Sequence, residues 1–144
     1  MSLKTETITL KRTLKHAPAR VFRAFTQKEE LQQWSPPDES MNMTIASGSC
    51  APGERLIWSC GPGEAEGIRV HSDYFHAEAD TSLLFAESIY MQEDLLSVAL
   101  VSIVLAGEDQ TELGVTIQIS AFAPEMTADY AGGWTSALGN LESL

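Results

Sequence analysis

The sequence predicts an α+β domain: a curved antiparallel sheet of six or seven strands, with two short helices after strand one, wrapped around a long C-terminal helix. Three observations predict it. From about Met41 to Ser120, runs of alternating apolar and polar residues follow one another with only turn-sized breaks, as strands do when they pair with their sequence neighbours. Met126, Tyr130, Trp134, Leu138 and Leu141 recur every three or four positions, which places them on one helix face. A sheet with one apolar face has to be covered, and that helix is the only element long enough to do it.

The elements follow in order. Ile8, Leu10 and Leu14 alternate with Thr9, Lys11 and Thr13, a strand with one wet side. Arg12 falls on its apolar side, where its stem can lie along the core while the head snorkels out or pairs. Pro18 suits a first helical turn, and Val21, Phe22 and Phe25 give a short helix ending near Thr26. Lys28 to Trp34 forms a second, with Leu31 and Trp34 on one face, and Ser35-Pro36-Pro37 stops it. Met43 and Ile45, then Leu56, Ile57 and Trp58, flank a turn at Pro52-Gly53, and Gly61-Pro62-Gly63 makes the next turn. No helix follows that second turn, so it is no phosphate cradle. Further strands run from Ile68 to Ala77, Leu83 to Tyr90 and Leu96 to Ala106, joined at Ala79-Asp80-Thr81 and Gln92-Glu93-Asp94. A hairpin loop at 107–110 leads to Leu113, Val115, Ile117 and Ile119, the cleanest alternation in the chain. Pro124 ends the sheet region, and Thr127 is the expected cap of the last helix.

With 144 residues, the chain fits one domain over 1–144. Such a chain buries roughly 68–70% of its unfolded surface, so it needs no disulfide or metal. Hydrophobic residues at 44% and charged residues at 20% argue against disorder. A net charge of −11 repels nucleic-acid phosphates and anionic lipid, which disfavours both as partners. The N-terminus carries no signal-peptide pattern. Val98 to Ala106, the most apolar stretch, is too short to span a bilayer. The cytoplasm is the expected compartment. Cys50 and Cys60 are placed on neighbouring strands, out of register for a disulfide, and read as buried thiols. No ligand spacing points to zinc or any other metal, and no motif calls for a cofactor.

Four stretches carry a family resemblance. They are Ile8-Thr9-Leu10-Lys11-Arg12-Thr13 with Ala17-Pro18-Ala19-Arg20-Val21-Phe22-Arg23-Ala24-Phe25-Thr26; Glu30-Leu31-Gln32-Gln33-Trp34; Leu83-Leu84-Phe85-Ala86-Glu87-Ser88, with a weaker echo at Ala51-Pro52-Gly53; and Gly133-Trp134-Thr135-Ser136-Ala137-Leu138-Gly139-Asn140-Leu141. In this order they resemble the START-like, or SRPBCC, helix-grip superfamily. Within it they are most similar to the AHSA-like family, named for homologues of the activator of a heat-shock chaperone's ATPase. The chain departs from the family where Trp34-Ser35-Pro36-Pro37 replaces a Trp-Trp-Gly-Pro pattern, where Glu54 replaces a second glycine, and where Ala79-Asp80 replaces a proline turn. The resemblance implies the helix-grip fold and a cavity between sheet and last helix. It implies no particular reaction, since one fold hosts many functions.

A cavity so placed takes its walls from the two short helices, the inner sheet face and the last helix. The residues expected there are Phe25, Trp34, Met43, Trp58, Tyr74, Tyr130 and Trp134. Core packing is the simpler account of Trp134, while Tyr130 is open between core and polar anchor. Gly132-Gly133 inside a helix costs roughly 1 kcal/mol per glycine, which a close helix–sheet approach or a bend beside the cavity would offset. His71 and Glu87 fall near each other across a predicted hairpin. An ordinary cross-strand pair on the wet face explains them more simply than acid–base catalysis. Arg55 and Arg69 are further cations, and Glu64, Glu66, Glu93, Asp94, Glu108 and Asp109 read as solvated loop charges.

No catalytic residue is assigned. The expected function is non-catalytic binding of a small hydrophobic molecule. A chaperone-modulating or other interaction role follows from the resemblance alone, a cyclase- or hydrolase-like enzyme in the same cavity is the third reading, and a homodimer stays open.

Overall fold

Seven strands form one antiparallel sheet in the computed structural model, which describes residues 3–36, 42–61 and 67–144. In chain order the elements are β1 (Lys4–Leu14), α1 (Pro18–Thr26), α2 (Lys28–Trp34), β2 (Asn42–Gly48), β3 (Arg55–Gly61), β4 (Ile68–Glu78), β5 (Ser82–Met91), β6 (Asp94–Ala106), β7 (Thr111–Ala121) and α3 (Pro124–Glu142). Pro37, Met41, Pro62, Gly63, Glu64 and Glu66 lie outside the described residues.

The strand order is β1-β7-β6-β5-β4-β3-β2. The expected meander holds from β2 to β7. β1 lies beside β7 instead of β2, in unbroken register from Lys4 opposite Ala121 to Leu14 opposite Thr111. The two short helices therefore carry the chain from one sheet edge to the other. The register skips one residue at Ala46 of β2, Phe75 of β4 and Leu96 of β6. Bulges of this kind bend a strand and add local twist. At the β6–β7 hairpin Gly107 has φ +129°, and a Cβ there would stand 2.0 Å from the Gln110 carbonyl oxygen, so only glycine fits this turn.

The inner face carries the core. Val101, Ile103, Val115, Ile117 and Ile119 are buried on β6 and β7, alternating with exposed neighbours. In β1, Arg12 follows the apolar parity and reaches Glu142 at the end of α3, 3.4 Å away. Both side chains are partly exposed, so the pair adds little stability. α1 buries Val21, Ala24 and Phe25, and α2 buries Leu31 and Trp34. The Trp34 indole donates to the Ala24 carbonyl at 2.9 Å and meets Phe25 edge-on at 4.8 Å. Asn140 of α3 donates to the carbonyls of Trp34 and Pro36 at 3.1 and 2.8 Å. It thereby satisfies acceptors that the end of α2 leaves open and ties the two helices together.

Two expectations need correction. α3 starts at Pro124, not at Thr127; its cap is Ala123, with no side-chain hydrogen bond. Proline at N1 lacks only an N–H that the first turn leaves unpaired anyway, so Pro124 opens the helix as well as closing the sheet. Cys50 is not on a strand: β2 ends at Gly48, and Cys50 lies in the loop before β3. That loop docks on β4, with Gly53 N–H donating to the Tyr74 carbonyl at 2.8 Å and Tyr74 N–H to the Glu54 carbonyl at 3.0 Å. Both cysteines are buried thiols.

Candidate functional site

α3 has two halves with different surroundings. Its C-terminal half sets Leu138 and Leu141, 0% and 2% exposed, into the core. Its N-terminal half, from Met126 to Trp134, stands over open space. Between it and the inner face of β3, β4 and β5 lies a cavity of about 370 Å³, closed at one side by Phe25 of α1 and Leu31 and Trp34 of α2. Met91 and Asp129, both exposed, mark its rim. The volume falls in the range of roughly 300–1,000 Å³ usual for small-molecule sites.

Phe25, Trp34, Met43, Trp58, Tyr74, Tyr130 and Trp134 all line this space. The Tyr74 and Phe85 rings lie tilted with centres 5.1 Å apart, and Phe85 stacks on Trp134 at 6.5 Å. Gly133 also lines the cavity, and a Cβ at Gly132 or Gly133 would meet nothing within 4 Å. Close helix–sheet approach therefore does not explain these glycines. What Gly133 leaves beside the helix is open volume.

One buried carboxyl interrupts the apolar wall. Glu87 is 9% exposed and points inward from β5. Its Oε1 accepts from the Tyr130 hydroxyl at 2.6 Å, and its Oε2 accepts from the Ser72 hydroxyl at 3.2 Å. Ser72 in turn accepts from the Trp58 indole N–H at 3.0 Å. The Trp134 side chain also hydrogen-bonds to Glu87. Burial pushes the Glu87 carboxyl above its ordinary 4.5, and the hydrogen bonds from Tyr130, Ser72 and Trp134 pull part of the way back. Burial, then the charge of Glu87, lifts the Tyr130 phenol well above its usual range, so it acts as the donor. Tyr74 and Cys50 hydrogen-bond to each other, and burial raises both.

The wet-face pairing of His71 with Glu87 is overturned. The register puts Ser72 opposite Glu87 and His71 opposite Ser88, so the two side chains leave opposite faces of the sheet. His71 sits outside with Tyr90, ring centres 5.0 Å apart, and Arg69 lies over Tyr90 at 4.9 Å. Desolvation, then Arg55 and Arg69, lowers the His71 pKa. Among the described residues no group of three or more His, Cys, Asp or Glu could hold a metal ion.

The sequence model described as "Activator of Hsp90 ATPase homolog 1-like protein" matches residues 15–144. The chain belongs to this family. The AHSA1-like fold recurs in solved structures of low identity. The Mll3558 protein from Rhizobium loti is 21% identical, with 99% of each chain covered and a TM-score of 0.85. A putative uncharacterized protein from Rhizobium leguminosarum is 20% identical, with 98% of this chain and 94% of that one covered and a TM-score of 0.84. The CV1439 protein from Chromobacterium violaceum is 20% identical over 95% and 94%, with a TM-score of 0.81. No curated protein matches the sequence. Among the described residues of this AHSA1-like chain, no helix is long and apolar enough to cross a membrane.

The buried carboxyl gives a pH prediction. Its folded pKa lies above the ordinary 4.5. Protonated Glu87 therefore favours the fold at pH below the unfolded value, and this contribution is lost as pH rises through the folded value. In Glu87→Gln that dependence is absent. Urea midpoints measured from acid to neutral pH should shift steadily in favour of the variant as pH rises. A wild-type-to-variant gap that stays constant with pH would show that Glu87 titrates normally.

Proposed function

We propose that this chain acts as one domain over 1–144 and holds a small hydrophobic molecule between sheet and α3, without catalysing a reaction on it. The observation that supports this most is the space of about 370 Å³ under the N-terminal half of α3, walled by aromatic and methionine side chains. Burial of apolar surface supplies the affinity in such a site, and few polar groups are needed to orient the ligand. Phe25, Trp34, Met43, Trp58, Tyr74 and Trp134 serve as wall. Tyr130 serves as wall and, through Glu87, as part of the polar anchor. An acid–base enzyme reading loses its histidine, because His71 lies on the far face of the sheet.

Gly133→Leu tests the proposal. The added side chain enters open volume, and leucine is the better helix former. The melting temperature should hold or rise by a few degrees, while affinity for an environment-sensitive apolar dye falls about tenfold or more. A collapsed melt would mean the volume is not available. If the wild-type protein takes up no apolar probe, the binding reading fails.

The family description names an activator of a chaperone ATPase, and one observation favours an interaction role as the second reading. On the outer face of β6, Val98, Leu100 and Val104 are 40%, 37% and 56% exposed. This apolar strip would suit a protein contact, with a chaperone or with a second copy of the chain.

A further inference from the structure

The charges around the cavity are one-sided. Among its described lining residues the ionisable acids are Glu87 and Asp129, and none is Lys, Arg or His. Arg55 and Arg69 of the neighbouring strands belong to the opposite sheet face, where Arg55 pairs with Asp73 at 2.7 Å and Arg69 covers Tyr90. Among the described residues Glu87 forms no ion pair. Its partners from α3 are the Tyr130 hydroxyl and Trp134, and from β4 the Ser72 hydroxyl. Across on β6 it faces Ala99. All its donors are neutral.

A carboxyl buried among hydrogen-bond donors but lacking a cation is costly in its charged form. A ligand cation would supply what the protein withholds. The carboxylate has about four lone-pair sites, and the three donors leave room for an N–H from a ligand. The rings of Trp58, Tyr74, Phe85 and Trp134 border the same space, and aromatic faces attract cations. An anionic ligand would meet two acids and no base. The net charge of −11 also favours the approach of cations.

We propose that the cavity takes an amphiphilic cation: an apolar body bearing a protonated amine, with the ammonium set against Glu87 and the body against the aromatic wall. This rests on the ligand-binding reading and adds to it the chemical class of ligand. An ammonium at this point would also hold the Glu87 carboxyl in its ionised form, against the upward push of burial.

Three probes of one skeleton test it: 6-phenylhexylamine, 6-phenylhexan-1-ol and 6-phenylhexanoate. They are titrated into the wild-type protein at neutral pH and followed by calorimetry and by fluorescence of the cavity tryptophans. The amine is expected to bind about tenfold tighter than the alcohol, and the carboxylate weakest. Glu87→Gln should bring the amine to the level of the alcohol. Gly133→Leu, which fills the cavity without touching Glu87, should abolish binding of both and keeps the test decisive if Glu87→Gln does not fold. An alcohol that binds as well as the amine overturns the cationic ligand and leaves the cavity reading standing. Failure of all three probes to bind sinks the cavity reading as well. An amine preference that survives Glu87→Gln or Gly133→Leu would come from the acidic surface, and it overturns the proposal.

Discussion

Trp34→Ala should destabilise the protein by about 3–5 kcal/mol, a fall in melting temperature of roughly 10–20 °C. Trp34 is 2% exposed, makes an edge-on contact with Phe25, and donates to the Ala24 carbonyl. The deletion removes all three contributions at once. It also strips the packing between α1 and α2, whose mutual position depends on this side chain. Trp134→Ala makes the informative comparison. The same side chain is lost from the same cavity, but Trp134 is only half-buried and one of its sides faces open volume. Its loss should cost much less. Thermal melts of the two variants decide the point, and equal costs would mean that Trp134 is ordinary core.

Leu138→Ala should cost about 2–5 kcal/mol. Leu138 is fully buried on the half of α3 that packs into the core, and it does not line the cavity. The deletion removes no part of the cavity wall. Affinity for an apolar dye measured below the melting transition should therefore stay within about twofold of wild type. A large loss of binding together with mild destabilisation would show that the two halves of the helix are not independent.

Much of this was legible in the residues. The strands and helices fell where alternation and helical spacing put them, and the turn glycines and prolines marked their ends. The path of β1 was not legible, because alternation says which face a strand buries but not which neighbour it joins. The seven expected wall residues all line the cavity: Met43, Trp58 and Tyr74 from strands β2, β3 and β4, and Phe25, Trp34, Tyr130 and Trp134 from the three helices. Glu87 was misread although its signal was present. Leu83, Phe85, Glu87 and Ile89 share one face of β5, and Val70, Ser72 and Tyr74 share one face of β4. A carboxyl on an otherwise apolar parity is buried and needs donors, and Ser72 stands directly across from it. Weighing Glu87 with His71, by strand proximity alone, hid that parity. The first turn of α3 was missed for a different reason: proline was read as a terminator when it also suits a helix start.

The two halves of α3 separate what keeps the chain folded from what shapes the cavity. Leu138 and Leu141 hold the helix to the sheet, while Met126, Tyr130, Gly133 and Trp134 face the cavity. Substitutions at Gly133 and Trp134 can reshape the pocket at small cost to folding, and those at Leu138 and Leu141 cannot. A lineage built on this arrangement can reshape its cavity by changing residues on about two and a half turns of one helix. Its architecture then persists while the shape of the space it encloses drifts.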